Sequence, residues 1–470
     1  MTAGIATVVY VVGILGLFWL DRDPDSRTSK ALWIPVAWLL IAGSRPVSMW
    51  LHMAPPTDQT DVYLEGSPVD RFLFTTLLAI GCWVLIMRGR RVTRLLSVNW
   101  PILLFFLYCA LSAVWSDYPE VAFKRWIKAL GDLVMVLIVL TDIDPSAAVK
   151  RFLARSGFVL IPLSVLLIKY YDEFGRGYNR WTWTPYYTGV TTGKNILGMI
   201  CSIFGLVSLW LFFEACRSDE ERFRKKGRLI AHGTLLGMVV WLFWMANSVT
   251  SLTCFLMASG LIVSISLHEP RRRPMRAHFL VAAALSLTLF ALFFDSGGNL
   301  VETLGRNSTL TGRTDIWSEV VSMVGNPLLG TGFESFWLGA RLEAIWGRHW
   351  WHPNEAHNGY LEVFLNLGWI GVTLLAVVMV TGYRNIVGAL RRDEYASGLR
   401  LGYFLVATIY SLTEAGFRMM CPMWIAFLLA ATVVPEAAVR EGSDINTQLL
   451  LDEDWASLST DGADVYEEVV

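Results

Sequence analysis

The sequence predicts an all-α polytopic membrane protein, with about 12–13 transmembrane helices and one large external loop carrying short amphipathic helices. Three observations carry that prediction. Of 470 residues, 54% are hydrophobic and 17% are charged, whereas a soluble domain carries roughly a quarter of its residues charged. Apolar runs of roughly 17–20 residues, the length that crosses a bilayer as a helix, recur along the whole chain. The Lys and Arg residues gather in alternate loops, which is how membrane helices are oriented. The net charge of −1 decides nothing, because the distribution of charge matters more than its sum.

The spans lie near 3–20, 31–50, 71–87, 99–115, 128–141, 157–170, 195–214, 229–246, 251–267, 278–294, 362–383, 400–416 and 420–436. The first run, Gly4 to Leu20, has no basic stretch before it and no convincing cleavage site, so it reads as a retained helix and not a signal peptide. The six cysteines form no CxxC pair and sit mostly in apolar runs. They read as small buried residues, with no disulfide framework and no metal site. Domain 1–436 is thus the transmembrane unit. The segment 437–470 reads as a disordered acidic cytoplasmic tail, with Asp452, Glu453, Asp454, Glu467 and Glu468.

Orientation follows from Arg88 to Arg94, Arg222 to Arg228, Arg271 to Arg276, and Arg391-Arg392, which should face the cytoplasm. The loops 51–70, 116–127, 171–194, 247–250, 295–361 and 417–419 are then external. Segment 51–70 fits, with four acidic residues and no Lys or Arg. Arg125, Lys124 and Lys128 depart from the pattern, and such exceptions often serve an anionic ligand.

The longest polar interval is 295–361. Ile316, Val320 and Met323 suit a short amphipathic helix over 315–324, which Asn326-Pro327 stops. Phe336 to Trp346 can form a second. Tryptophans crowd the segment, and Trp prefers the headgroup layer, so the loop should lie on the membrane.

Several side chains there could carry chemistry. Arg313 follows Gly312 at the start of the first short helix, where free N–H groups favour an anion and the guanidinium fork matches phosphate oxygens. An Arg that snorkels to headgroups or pairs with Asp315 is the plainer alternative. Asn326 to Phe333 reads equally as a helix connection or a ligand contact. His357, in Glu355-Ala-His-Asn-Gly-Tyr360, can take a proton near neutral pH; His349 and His352 compete with it. No HExxH spacing occurs, which rejects a zinc protease. The loop 171–194 combines Arg176, Arg180 and Lys194 with Trp181, Trp183, Tyr186 and Tyr187, and Lys194-Asn195 opens a membrane helix. Glu414 and Arg418 have the spacing of a helical ion pair.

Together these residues resemble the O-antigen ligase and polymerase family, which includes the exopolysaccharide-production polymerases. The resemblance rests on Gly312-Arg313-x-x-x-Trp317, Asn326-Pro327-x-x-Gly330-x-Gly332, His357-Asn358-Gly359-Tyr360 and Gly368-x-x-Gly371. Gly189-Val-Thr-Thr-Gly-Lys-Asn195, Trp115-Ser-Asp-Tyr-Pro119 with Arg125, Ser248-Val-Thr-Ser251 and Ser411-Leu-Thr-Glu414 resemble further elements. Gly193 and Val249-Thr250 depart from the pattern, at positions where many relatives carry His and Arg.

The resemblance implies a metal-independent, cofactor-free glycosyltransferase of the bacterial cytoplasmic (inner) membrane, with its site facing the periplasm. Its donor would be an oligosaccharide on undecaprenyl pyrophosphate, and its acceptor a glycan or a lipid. Membrane lipids and polysaccharide export machinery are the other expected partners, and nucleic acid is not one. Carried over, Arg313 becomes a phosphate ligand and His357 the base, with Arg180, Lys194, Arg125, Asn358 and Trp317 as further substrate-binding residues. Polymerisation is the favoured reading. Ligation to a lipid or protein acceptor is the alternative within the class, and a lipid-linked-glycan flippase the alternative outside it.

Overall fold

The computed structural model describes residues 2–23, 27–53, 66–178, 183–218, 221–267, 274–293, 309–392 and 396–435; at 266–267, 274, 291–293 and 309–315 it describes the backbone alone. Every apolar stretch named above holds helix. Among the described residues, six helices are long and apolar enough to cross a membrane: Ala3–Leu20, Pro68–Met87, Pro145–Tyr170, Lys194–Arg217, Arg222–Ala246 and Gly359–Arg391. Gly89–Val98 and Trp100–Trp115 meet at 90° and count as a seventh if taken together. Lys30–Ala42, Val249–Ile265, Met275–Phe290 and Pro422–Ala431 are apolar but shorter. The chain is an all-α polytopic membrane protein. The acidic tail lies outside the described residues.

Small residues let the central helices approach closely, as lipid-embedded bundles require. A Cβ on Gly198 would lie 2.7 Å from Ser251 Oγ, and Ser202 Oγ donates to the Ser251 carbonyl at 3.0 Å. These contacts lock Lys194–Arg217 to Val249–Leu267. Gly131, in the helix Pro119–Leu140, is covered by the Trp38 indole, which a Cβ there would meet at 2.2 Å.

The segment 171–194, read from sequence as a loop, contains a small antiparallel hairpin. Arg176–Tyr178 pairs with Pro185–Tyr187 in the register Arg176 to Tyr187, Gly177 to Tyr186 and Tyr178 to Pro185. Arg180 lies outside the described residues.

The helix Gly359–Arg391 is broken at Gly368, whose φ of 63° and ψ of −166° belong to a region that only glycine enters cheaply. A break inside a membrane helix strands polar backbone groups, and each must find a partner. The turn Asn326 to Phe333 supplies the partners. Trp369 and Ile370 donate their N–H groups to the Pro327 and Leu328 carbonyls at 2.9 and 3.2 Å. The Leu365 and Asn366 carbonyls accept from Thr331 and Gly332 N–H at 3.1 and 2.8 Å. Asn326 Oδ1 shapes the turn by accepting from Leu328 N at 3.0 Å. The Asn-Pro-x-x-Gly-x-Gly motif is therefore a plug for a broken helix.

Gly368→Ala is expected to cost at least about 1–3 kcal/mol from backbone conformation alone. Its Cβ would also sit 2.3 Å from the Leu328 carbonyl oxygen. A fall in the melting temperature of the detergent-solubilised protein checks this, and an unchanged one refutes it.

The long loop differs from expectation in three ways. Its first helix is Thr309–Ser322, beginning four residues before Arg313, so Arg313 stands one turn inside and not at the start. Its second is Gly339–Arg348. Its tryptophans largely turn inward: Trp337 is buried, and Trp317 and Trp346 pack on the same small core of Val320, Phe336, Leu342 and Ile345. Trp350 and Trp351 stay exposed. The aromatic crowd therefore builds a core, because each indole N–H finds an internal acceptor.

Candidate active site

The predicted helix over 400–416 ends instead at Tyr410. The chain from Ser411 to Cys421 then runs without helix until Pro422. Glu414 and Arg418 are therefore not a helical ion pair; each reaches a different partner across the segment.

His357 takes a left-handed φ of 50° immediately before the helix that Asn358 caps. Asn358 Oδ1 accepts from Tyr360 N and Leu361 N, both at 3.0 Å, and its amide donates to the Leu412 carbonyl at 3.2 Å. Asn358 thus ties the His357 loop to the 411–421 segment. The buried Glu362 carboxylate accepts from Ala356 N at 2.5 Å and from Trp337 Nε1 at 3.0 Å. Trp317 Nε1 donates to the Ala356 carbonyl at 2.8 Å. These contacts hold the residue before His357 from two sides.

His357 Nδ1 then lies 2.9 Å from Glu355 Oε1 and 3.3 Å from Glu414 Oε2. The other Glu414 oxygen accepts from Asn195 Nδ2 at 2.8 Å. The second Glu355 oxygen takes Arg418 Nη1 at 3.0 Å, and Arg418 Nη2 reaches Glu334 at 3.5 Å. Arg125 donates to the Glu334 carbonyl. From below, Asp132 accepts from Met420 N and Trp38 Nε1, both at 2.8 Å, which anchors the far end of the 411–421 segment.

The electrostatics follow from these contacts. Burial disfavours the imidazolium, but the hydrogen bonds and charges of Glu355 and Glu414 outweigh it and raise the His357 pKa to about 9. Burial likewise opposes the Glu355 carboxylate, yet His357 and Arg418 hold its pKa down to about 2. Burial works against the Arg418 charge, and Glu334, Glu362 and Glu355 together raise its pKa further still.

His357, Glu355, Glu414 and Arg418 line a cavity of about 1310 Å³. Asp70, Lys128, Lys194 and Asn195 complete its polar wall, and Met199, Trp244 and Met245 form part of an apolar flank. Most of these residues belong to the loops and helix ends that the charge pattern assigns to the outside. Glu355, His357 and Glu414 each present a ligand atom within 4.8 Å of the others, so they could hold a metal ion. Such an ion would displace the proton on Nδ1 and would sit beside the Arg418 charge.

Of the predicted site residues, the structure brings His357 and Lys194 to one cavity. Arg125, Trp317 and Asn358 stand behind it, in contact with the elements that shape it. The Arg313 side chain, like Arg180, lies outside the described residues. Glu334, Glu362 and the pairing of Glu355 with Arg418 were missed. A signal existed in Glu362, Glu414 and Arg418, ionisable residues inside or beside apolar runs.

Comparison with known proteins bears on the same region. The family model for O-antigen ligase matches residues 234–376, which takes in the break at Gly368, its plug and His357. Over that segment the chain is similar to O-antigen ligases. It is also 25% identical over 326 residues to the exopolysaccharide production protein ExoQ of Rhizobium meliloti (strain 1021), an alignment covering 67% of this chain and 72% of that protein. The matched segment ends just after Gly371, so Glu414 and Arg418 are parts of the candidate site that the family match does not reach.

Proposed function

We propose that the chain is a glycosyltransferase that polymerises glycan repeats carried on undecaprenyl pyrophosphate, at the outer face of the bacterial cytoplasmic membrane, in exopolysaccharide or O-antigen biosynthesis. One observation carries the reading: a His held at one ring nitrogen by two carboxylates, on the wall of a large cavity that also presents Lys194 at a helix start without a side-chain cap. The match of residues 234–376 to the O-antigen ligase model and the name of the exopolysaccharide-production relative support it.

In the proposed reaction the bond from the anomeric carbon to the donor pyrophosphate breaks, and a bond from that carbon to the acceptor oxygen forms. The pyrophosphate leaves on its lipid, and cations such as Lys194 and Arg313 stabilise the charge it gains. The acceptor proton passes to His357, with Nδ1 fixed by Glu355 and Glu414 in the manner of an oriented base. No metal enters this scheme. The cavity exceeds the roughly 300–1,000 Å³ of ordinary small-ligand sites, as an oligosaccharide requires. The flippase reading fares less well, because the polar wall gathers in loops and helix ends that the charge pattern assigns to one side, the outside.

The test is to incubate purified protein with an undecaprenyl-pyrophosphate oligosaccharide alone and to size the lipid-linked products. Longer chains support polymerisation. An unchanged donor that is consumed only when a lipid or protein acceptor is added supports ligation instead. Arg313→Ala is expected to abolish elongation while still inserting, and Arg313→Lys to rescue it poorly, since Lys lacks the two-pronged fork. Normal polymer from Arg313→Ala would remove that residue from the scheme.

A further inference from the structure

We infer that the acidic segment 436–470 docks on the basic face of the helix Gly89–Val98, on the side of the membrane that the charge pattern assigns to the cytoplasm. The inference does not depend on the proposed function.

The charge of the chain is divided between two parts. Residues 436–470 hold ten Asp and Glu against one basic residue, Arg440. The rest of the chain holds 38 Lys and Arg against 30 Asp and Glu, so the two parts carry opposite net charge. Within the segment the acids are densest at Asp452-Glu453-Asp454, with Leu449-Leu450-Leu451 before them and Trp455 after them. The helix Gly89–Val98 has a matching order. It meets Trp100–Trp115 at 90°. Leu95 is buried, and Val92 and Leu96 pack against the core. Arg90, Arg91 and Arg94 fall within an arc of about 100° on the other side, given the 3.6-residue turn. Arg90 is exposed and Arg91 partly so. Among the described residues neither makes a side-chain ion pair, whereas Arg88 is matched by Asp142 at 3.0 Å. Exposed apolar residues flank this row, Met87 before it and Val98 and Trp100 after it.

The described chain ends beside the same helix. Asn99, its C-terminal cap, accepts from Val433 N through Oδ1 and donates to the Val433 carbonyl through Nδ2, both at 2.9 Å. Arg400 steadies this exit by donating to the Ala430 and Thr432 carbonyls, both at 2.9 Å. Arg90 lies about 14 Å from Asn99 along the helix, at 1.5 Å per residue. The chain from Pro435 to Asp452 spans roughly 20–25 Å as a coil, which is enough to lay the acids along the row. Tethering holds them there at an effective concentration on the order of millimolar. An anionic leaflet, by contrast, repels the segment, and the row of arginines beside its exit offers the opposite charge.

The test uses the purified full chain in phosphatidylcholine nanodiscs and phenylglyoxal, which modifies accessible Arg side chains, read by mass spectrometry at Arg90 and Arg91. Arg348 of the long loop is the internal reference. The variant combining Asp452→Asn, Glu453→Gln and Asp454→Asn alters the segment alone and leaves the helical bundle untouched. Arg90 and Arg91 are expected to react at least about fivefold faster in that variant than in the wild type, since several exposed ion pairs act together on a tethered partner. Salt at about 1 M should raise the wild-type rate to that of the variant. Equal rates in the two proteins at low salt overturn the inference. Phosphatidylglycerol nanodiscs supply the rival occupant. A wild type that still reacts more slowly than the variant there supports docking of the segment; a variant protected as well as the wild type makes lipid headgroups the occupant and overturns it.

Discussion

Arg418→Ala is expected to destabilise the protein by about 3–5 kcal/mol, the usual cost of leaving buried partners of an ion pair uncompensated, and to eliminate transfer. Arg418 joins Glu355 at 3.0 Å to Glu334 at 3.5 Å. Glu334 is 8% exposed and Glu362, close behind, 2%. Without the guanidinium these acids repel one another in a region water barely enters. The Glu355 carboxylate would also lose Arg418, the partner that holds its second oxygen while the first faces His357. Arg418→Lys should recover part of the stability, since one ammonium cannot reach both carboxylates with the geometry of the fork. The double variant Arg418→Ala with Glu355→Gln should be less damaged than the sum of the single changes, because it removes charge from both sides of the pair. Thermal unfolding in detergent and the elongation assay measure both effects. A fully stable, active Arg418→Ala would show that the carboxylates here do not depend on this residue.

The rate of transfer should climb with pH, about tenfold per unit between pH 6 and 8, and level off above about 9. The base must be neutral to accept a proton, and the His357 pKa of about 9 leaves it charged in the resting site near neutrality. Glu355→Gln should move the rise to lower pH. Removing a carboxylate withdraws support from the charged ring, the pKa falls toward 6.5, and the neutral form appears sooner. Glu414→Gln should act in the same direction but less, because its contact is longer, 3.3 Å against 2.9 Å. His357→Gln should keep donor binding and lose about 10²–10⁴ in rate. A profile flat from pH 6 to 8 would transfer the role of base to Glu414, leaving His357 as a fixed cation.

The same shift acts on stability with the opposite sense. The folded pKa lies above the unfolded value of 6.5. The stabilising contribution is therefore complete below pH 6.5 and is lost as the pH rises through about 9. The conditions that free the base are those that loosen its loop, and melting temperature should fall over the same range in which the rate rises.

Helix positions and the polar character of the long loop were legible in the sequence, and His357 and Lys194, both candidates there, line one cavity. Apolar length and the placement of Lys and Arg report directly on the cost of burying backbone and charge in lipid, and that cost is paid residue by residue along the chain. The resemblance of the glycine-rich motifs to a family was also visible, but their purpose was not. Gly330, Gly332 and Gly368 matter because a turn some forty residues away supplies the hydrogen bonds that a broken helix lacks, an arrangement that no local pattern encodes. Nor could spacing show that Glu414 and Arg418 leave helical geometry. Four residues apart in an apolar run, they fit a helical pair, until the end of the helix at Tyr410 turns one toward His357 and the other toward Glu355 and Glu334. The sequence by itself thus determined which stretches of the chain form the apolar helices of a membrane protein, because solvation is local. The tertiary structure decided which acids and bases share a pocket, because their pairing depends on distances between segments far apart in the chain.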